Sequence, residues 1–124
     1  MGYKPFITMI SSEEACHYVQ QEIPEISQSL PTDGSIYNTL NAVREYACEQ
    51  AKQHNYSLLR KCFNLAADLY DKGSNTVRCA VENVFVYSIS RIFSLAPEDR
   101  QRIKELMPQS LQSLYADQVL HHGY

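Results

Sequence analysis

The chain has 124 residues, of which 44% are hydrophobic and 20% are charged, and its formal net charge is -3. This length suits one domain with a single core, so we expect one domain over residues 1–124, and the composition excludes a disordered or collagen-like chain. The mild acidity and the scattered Lys and Arg residues argue against a nucleic-acid-binding protein, because such proteins cluster basic side chains on one face.

The amino-terminal stretch, MGYKPFITMISSEE, lacks the features of a secretory signal. It has one Lys, a short apolar patch and no cleavage site of small residues. No segment approaches the run of about 20 apolar residues that a transmembrane helix needs. We therefore expect a cytoplasmic protein that does not contact the membrane.

The four cysteines are predicted to be reduced and buried. Cys16, Cys48, Cys62 and Cys79 include no Cys-x-x-Cys pair, the spacing by which zinc sites and redox dithiols are usually recognised. Free cysteine otherwise behaves as a small hydrophobic residue. Cys48 and Cys62 are about equally far from a predicted turn near Asn55, so a disulfide between them under oxidising conditions stays open.

The first predicted helix begins near Ser11 or Ser12, either of which can cap it, and its first turn carries two glutamates that suit the helix dipole. Apolar residues continue at helical spacing towards Leu30. Pro24 lies inside this pattern and predicts a kink or a break. The following LPTDGS segment, residues 30–35, is typical of a loop.

The next two helices are predicted over residues 36–53 and 57–71, each with one apolar face. The short QHNY turn between them predicts an antiparallel hairpin. The segment DKGSNT then predicts a helix end, with Gly73 as a left-handed cap and Ser74 or Asn75 as the N-cap of the next helix.

The fourth predicted helix, residues 77–93, is apolar around most of its circumference. Such a helix belongs in the centre of a domain, covered on several sides. Its polar side chains Arg78, Glu82, Asn83 and Arg91 have two open interpretations. The arginines near the helix ends can extend to solvent over their apolar stems. Alternatively, the four side chains line a pocket or a partner-facing groove, where their charges need compensation.

Two further helices complete the chain. Pro97 starts one of them, with acidic residues just after it, and Pro108 ends that helix and starts the last, which covers QSLQSLYADQVL. No segment shows the alternation typical of a strand. The predicted fold is therefore all-α, with about six helices in antiparallel hairpins packed as a small α-α superhelix or irregular bundle around the central helix.

The sequence contains no signature of a catalytic, nucleotide-binding or metal site. It lacks Gly-x-Ser-x-Gly, His-Glu-x-x-His and glycine-rich phosphate-binding motifs. Glu14 and His17 have the Glu-x-x-His spacing of di-iron helical bundles, but such a site needs two of these motifs and further acids. We therefore predict a non-enzymatic protein that holds no metal and no cofactor.

Tyrosine is the most informative residue type, with nine in the chain and no tryptophan. A tyrosine packs its ring while its hydroxyl stays in contact with water, which suits both helix seams and protein interfaces. We predict core-edge packing for the rings, or a binding face where several are exposed beside acidic residues. The residues predicted for the binding site are Tyr37, Glu45, Glu49, Tyr56, Asp68, Tyr70, Arg78, Glu82, Asn83 and Arg91.

Four stretches carry a family resemblance: YVQQEIPEI (18–26), LRKCFNLAADLYDKG (59–73), VRCAVENVFVYSISRIF (77–93) and LMPQSLQSLYADQVL (106–120). They resemble a family of small all-helical proteins of unknown function from Bacteroides-type bacteria. The resemblance implies a fold rather than a chemistry, and it implies no catalytic residue. Some of those proteins occur near polymorphic toxin systems, where small acidic helical proteins act as immunity partners.

Two functions stay open at this point. The first is a non-enzymatic protein-interaction module of immunity or adaptor type, which binds a protein partner through a Tyr-rich, mildly acidic face. The alternative is a small-molecule-binding or catalytic helical domain, with a pocket near Arg78, Glu82, Asn83 and Arg91. An exposed apolar-aromatic patch favours the first, and a concave pocket that holds one of these four side chains with a strongly shifted pKa favours the second.

Overall fold

The protein is a single all-α domain in the computed structural model, which describes residues 9–30 and 35–121. This confirms the predicted fold class. The loop predicted at 30–35 and the amino-terminal stretch fall largely outside the described residues. The helices in chain order are α1 (Ser12–Glu22), a 3₁₀ helix (Pro24–Ser29), α2 (Ile36–Lys52), α3 (Tyr56–Lys72), α4 (Asn75–Ala80), α5 (Ile89–Leu95), α6 (Arg100–Leu106) and α7 (Gln109–His121).

Helix α1 begins and ends where the sequence predicts. The Ser11 hydroxyl accepts a hydrogen bond from the Glu14 backbone N–H at 3.1 Å, and the Glu14 carboxylate accepts one from the Ser11 N–H at 3.0 Å. This reciprocal capping box satisfies two donors that the first turn of a helix leaves unpaired. At the other end α1 stops at Glu22, and Pro24 opens the 3₁₀ helix, so the predicted break is confirmed.

Helices α2 and α3 form the predicted hairpin around a tight turn. His54 has a left-handed backbone conformation with φ of 59°, and its N–H donates to the Ala51 carbonyl at 3.1 Å, which closes the end of α2. Cys48 and Cys62 are both buried in this hairpin, and the four cysteines of the chain are free thiols. Burial raises the pKa of the Cys62 thiol to about 12, because a low-dielectric surrounding disfavours the thiolate.

The connection from α3 to α4 differs from the predicted one. Gly73 is extended, with φ of -79° and ψ of 160°, so the predicted left-handed cap is wrong. The amino-terminal segment pairs here instead, since the Ile10 N–H donates to the Lys72 carbonyl at 2.9 Å and the Ser74 N–H donates to the Ile10 carbonyl at 2.8 Å. A Cβ at position 73 would lie 2.3 Å from the Leu69 carbonyl oxygen. Glycine is therefore required for close packing rather than for a positive φ.

The central helix is less regular than predicted. It starts at the N-cap Ser74, as one of the two predicted alternatives has it, but then changes pitch twice. A π-helical turn (Val81–Phe85) and a 3₁₀ turn (Val86–Ser88) separate α4 from α5. The Ser88 hydroxyl donates to the Val84 carbonyl at 2.7 Å and to the Phe85 carbonyl at 2.9 Å. This side chain supplies a partner to carbonyls where the regular helical hydrogen bonding is interrupted.

The position of this helix and its burial on several sides are as predicted, but Tyr87 and Cys79 differ from the expected burial. Val86 and Phe93 both lie across an ideal helical wheel from the main apolar face, and both are buried. Tyr87 is 58% exposed, although the wheel places it beside the apolar face. Cys79 is exposed as well, so the prediction of a buried thiol is wrong there. The π-helical turn rotates the residues that follow it relative to a uniform wheel, which is the physical reason for the exposure of Tyr87. Cys79 precedes the pitch changes and lies across the wheel from the main apolar face.

The carboxyl-terminal helices follow their prolines. Pro97 begins a 3₁₀ turn (Pro97–Asp99) that leads into α6, and Pro108 separates α6 from α7. Among the described helices, none alone combines the length and apolarity that crossing a bilayer requires. The 75–95 segment and the 97–106 segment meet these limits only as a pair, across a bend of 105°.

Candidate functional site

Several tyrosine hydroxyls bind carboxylates on neighbouring elements. The Tyr18 hydroxyl on α1 donates to Asp68 Oδ2 on α3 at 3.0 Å, and the Tyr56 hydroxyl on α3 donates to Asp99 Oδ2 at 2.5 Å. Burial, together with the hydrogen bond to the carboxylate, raises the pKa of both phenols to about 12. Asp68 and Tyr56, both predicted for the binding site, make these contacts within the chain, and their role in binding stays a prediction.

A groove between the 3₁₀ helix Pro24–Ser29 and α2 collects acidic side chains. Its volume is about 650 Å³. We call it the acidic groove, and among the described residues it is lined by Glu25, Ile26, Asn38, Asn41, Ala42, Glu45, Tyr46 and Glu49. Three of these carry carboxylates and none is basic. The lining of the groove is therefore acidic and open to water, and Arg44, Lys52 and Lys61 lie beside its carboxylates.

Helical spacing explains one wall of the acidic groove. Residues three or four apart on a helix share a face, so Asn38, Glu45 and Glu49 lie along one side of α2. The 3₁₀ helix forms the other wall because Pro24 ends α1 there and turns the chain back along α2. The groove thus depends on a break that the sequence predicts and on a packing that it does not.

One hydrogen bond fastens the two walls. The Tyr46 hydroxyl donates to Glu25 Oε2 at 2.7 Å. This bond lowers the pKa of the Glu25 carboxyl below its ordinary value. Burial, together with the same bond, raises the pKa of Tyr46. Both shifts favour the neutral phenol and the ionised carboxylate, so this pair persists through neutral pH.

The other two carboxylates have neighbours on α2. Arg44 Nη2 lies 2.6 Å from Glu45 Oε2, and the Glu45 side chain is 64% exposed. Glu49 accepts a hydrogen bond from the Gln53 amide at 2.8 Å and lies 3.9 Å from Lys52 Nζ. Exposed ion pairs of this kind contribute little free energy. These carboxylates can therefore exchange their neighbours for the cations of a partner at small cost.

The remaining predicted binding residues do not form one face with the acidic groove. Tyr37 is 40% exposed but does not line it, and Tyr56 is 7% exposed. Tyr70 is half-buried under the Arg78 guanidinium, which lies 4.6 Å from the ring centroid. Glu45 and Glu49 are thus the predicted residues that line the acidic groove, while Tyr70 and Arg78 form a separate predicted pair.

The four polar residues of the central helix diverge. Arg78 packs on Tyr70 of α3, and the Glu82 backbone carbonyl accepts a hydrogen bond from the Gln118 amide of α7 at 2.9 Å. Arg91 is exposed, and its guanidinium opposes the rise that burial causes in the pKa of Cys48 on α2. Asn83 is exposed too. Arg78 and Glu82, one helical turn apart, lie near enough to interact, whereas Arg91 approaches α2 and Asn83 is exposed, so the four side chains do not share one neighbour.

Sequence reasoning missed Glu25 and Tyr46 as members of a site. Their partnership spans 21 residues and depends on how the chain folds back after Pro24. The available signal was the acidic residue just after a helix-breaking proline, since such a residue opens a new turn at the surface. The sequence does not contain the pairing with Tyr46, because six other tyrosines are spread over the predicted helices and turns.

A second cluster joins the α2–α3 turn to the turn before α6. His54 Nδ1 lies 2.9 Å from the Tyr56 hydroxyl and 3.6 Å from Asp99 Oδ2, and Nε2 lies 4.0 Å from Glu98 Oε2. One imidazole and two carboxylates this close to one another offer ligand atoms that a divalent ion can use. Here Tyr56 already bonds both His54 and Asp99, so we interpret the cluster as a hydrogen-bonded tie between two turns.

Comparison with known proteins identifies a family. A family model described as a domain of unknown function (DUF7674) matches residues 16–122. No curated protein and no solved structure matches the chain. The match confirms that the resemblance seen in the sequence is to an uncharacterised family. The chain therefore belongs to the DUF7674 family.

Proposed function

We propose that this protein is a non-enzymatic protein-interaction module of immunity or adaptor type, which binds a basic segment of a partner protein in the acidic groove. The observation that carries the proposal is the set of three carboxylates, Glu25, Glu45 and Glu49, along one groove whose described lining has no basic residue. Complementary charge steers association and selects partners. A partner segment rich in Lys or Arg fits this surface.

The chemistry of the acidic groove supports recognition rather than catalysis. A general acid or base works best with a pKa near the operating pH. The hydrogen bond from Tyr46 moves the pKa of Glu25 away from neutrality. Glu45 and Glu49 are exposed to water, where a reaction would gain little from a pre-organised environment.

Charge, rather than an apolar patch, supports this proposal. Among the described residues, the exposed large hydrophobic side chains are Met9, Tyr37 and Tyr87, which lie before α1, on α2 and in the 3₁₀ turn of the central segment. Immunity-type partners and bacterial origin belong to the proposal through the family resemblance alone, and a cytoplasmic location is proposed from the sequence patterns. The alternative of a small-molecule or catalytic pocket has less support, because Arg78, Glu82, Asn83 and Arg91 diverge.

The test compares two double variants with equal net charge. Glu45→Gln with Glu49→Gln removes charge from the acidic groove, while Glu13→Gln with Glu105→Gln removes the same charge from exposed positions elsewhere. We expect affinity capture from the native cells to recover a basic protein with the wild type and the control variant but not with the groove variant. We also expect the captured complex to weaken as salt rises.

Equal recovery of that protein by all three forms would contradict the proposal. Circular dichroism at equal protein concentration checks that each variant stays folded. A partner whose capture does not respond to salt, and whose footprint by hydrogen exchange leaves α2 unprotected, would also contradict it.

A further inference from the structure

A second groove lies at the other end of the chain, where α7 folds back beside α6. Its volume is about 670 Å³. We call it the C-terminal groove, and the lining residues that matter here are Phe93, Arg100, Lys104, Tyr115 and Val119. The Gln112 amide holds the two helices together, since it donates to the Lys104 carbonyl at 3.2 Å and to the Met107 carbonyl at 2.9 Å. The groove is thus built on two fastened helices rather than on a loop.

The floor of the C-terminal groove is apolar and aromatic. Phe93 is 2% exposed, and its ring meets that of Tyr115 edge to face at 5.6 Å between centroids. Val119 follows Tyr115 by one helical turn on α7 and is half-buried. Leu111, on another side of α7, is fully buried in the core. Helix α7 therefore has apolar side chains both towards the core and towards the groove.

Two cationic side chains lie at the rim of this apolar floor. The Arg100 guanidinium lies 4.4 Å from the centroid of the Phe93 ring, and Lys104 follows it by one turn of α6. Both side chains are exposed, and the ion pairs found among the described residues include neither of them. A ligand for this groove should therefore combine apolar groups with negative charge.

We propose that the C-terminal groove binds an amphipathic helix of a partner protein, with its apolar stripe on Tyr115 and Val119 beside the buried Phe93 ring and its acidic residues on Arg100 and Lys104. The spacing favours a helix, because cations one turn apart match two carboxylates one turn apart on a neighbouring helix. An open groove between two helices also accepts a third helix by ordinary side-chain packing. This site has the opposite charge to the acidic groove and does not rest on the proposed function.

A designed peptide tests the proposal directly. The probe is a helical peptide of about 15 residues with Leu along one face and two Glu one turn apart beside it, and its control has Lys in place of both Glu. We expect saturable binding of the Glu peptide by fluorescence anisotropy. Arg100→Gln with Lys104→Gln should weaken it about fivefold to tenfold. Val119→Ser should weaken it as well.

Matched variants separate this site from the other surfaces. Arg60→Gln with Lys61→Gln removes the same charge from exposed positions on α3, and we expect it to leave the affinity unchanged. Glu45→Gln with Glu49→Gln should also leave the affinity for the Glu peptide unchanged. A failure of the function proposed for the acidic groove therefore does not affect the result of the peptide experiment. Thermal unfolding checks that the variants remain folded.

Four results would overturn the proposal. The first is no saturable binding of the Glu peptide up to about 1 mM, and the second is equal affinity for the Lys peptide. The third is displacement of the peptide by decanoate that itself binds in an Arg100-dependent manner, which would assign the groove to an anionic lipid chain. The fourth is self-association by sedimentation that Arg100→Gln with Lys104→Gln abolishes, which would assign it to a second copy of the chain.

Discussion

The α2–α3 hairpin and the central segment 75–95 both contribute side chains to the core, but they do so in different ways. Helices α2 and α3 are regular over 17 residues each, and each buries one stripe while the opposite face stays in water. The central segment changes from α to π to 3₁₀ and back to α. Because a uniform helix turns by the same angle at every residue, the pitch changes place the side chains after them in other directions than a uniform helix would.

The largest effect is expected at the contact between the hairpin and the π turn. Phe63 of α3 and Phe85 of the π turn are fully buried and meet edge to face at 6.0 Å between ring centroids. Phe85→Ala should lower the free energy of unfolding by about 3–5 kcal/mol. Phe63→Ala should cost a similar amount, and a double-mutant cycle by urea unfolding should show coupling of about 0.5–1.5 kcal/mol. Additive losses would mean that the two rings do not interact.

Gly73 tests the junction between the two regions. Its missing Cβ would meet the Leu69 carbonyl and the Val77 side chain, so Gly73→Ala should cost about 1–3 kcal/mol. Gly73→Asn should cost at least as much. If the glycine were a left-handed cap, asparagine would be tolerated better than alanine, and thermal unfolding of the two variants distinguishes the two conformations. Thr76→Ala, at an exposed position nearby, serves as the control.

Ser88 tests whether the irregular pitch needs side-chain support. Its hydroxyl donates to two carbonyls at the junction of the π and 3₁₀ turns, so Ser88→Ala should cost about 1–2 kcal/mol in urea unfolding. Ser94 makes one similar bond to the Arg91 carbonyl at an exposed position. Ser94→Ala should change stability by less than about 0.5 kcal/mol. Equal effects of the two changes would contradict a special role for Ser88.

The bond between Tyr46 and Glu25 tests the acidic groove by pH. Tyr46→Phe should return the pKa of Glu25 towards its ordinary value, which ¹³C NMR of the carboxyl measures. A carboxyl whose pKa is lower in the folded than in the unfolded state stabilises the fold at pH values above its unfolded pKa. This contribution is lost as the pH falls through the folded pKa. The free energy of unfolding of the wild type should therefore exceed that of Tyr46→Phe by under about 1 kcal/mol at pH 7. This difference should vanish in acid. Tyr37→Phe should show neither effect.

The cysteines give the smallest and simplest contrast. Cys79 of α4 is exposed, while Cys62 of α3 is fully buried with its pKa raised to about 12. A thiol reagent should therefore label Cys79 in the native protein and reach Cys62 only on unfolding, since the thiolate is the reactive form. Mass spectrometry of digests over time measures both rates. Equal labelling of the two would show that the hairpin opens on the labelling timescale.

Local signals predicted the elements well where one residue decides the conformation. Ser11 with Glu14 started α1, Pro24 ended it, and Pro97 and Pro108 bounded α6, as expected from capping and from the missing proline N–H. Gly73 shows where such reasoning failed. A glycine after a helix predicts a left-handed cap by frequency, but the pairing with Ile10, more than 60 positions away in the chain, imposed an extended backbone.

The candidate site was predicted in part. Glu45 and Glu49 lie on one face of α2, and helical spacing alone places them together. Their partners Glu25 and Tyr46 meet only because the 3₁₀ helix folds along α2. Tyr56 and Asp68 looked like surface residues of a binding face, but each forms a hydrogen bond across two elements. The sequence shows which side chains can donate or accept, and not which ones meet.

By itself the sequence determined the all-α class, most helix bounds and the burial of the central helix, because apolar periodicity and capping act within a few residues. Only the tertiary structure decided the pitch changes at Val81–Ser88 and the pairing of Ile10 with Gly73. It also decided the two grooves of opposite charge. These features depend on contacts between distant parts of the chain, where close packing selects one arrangement among many that local preferences allow equally well.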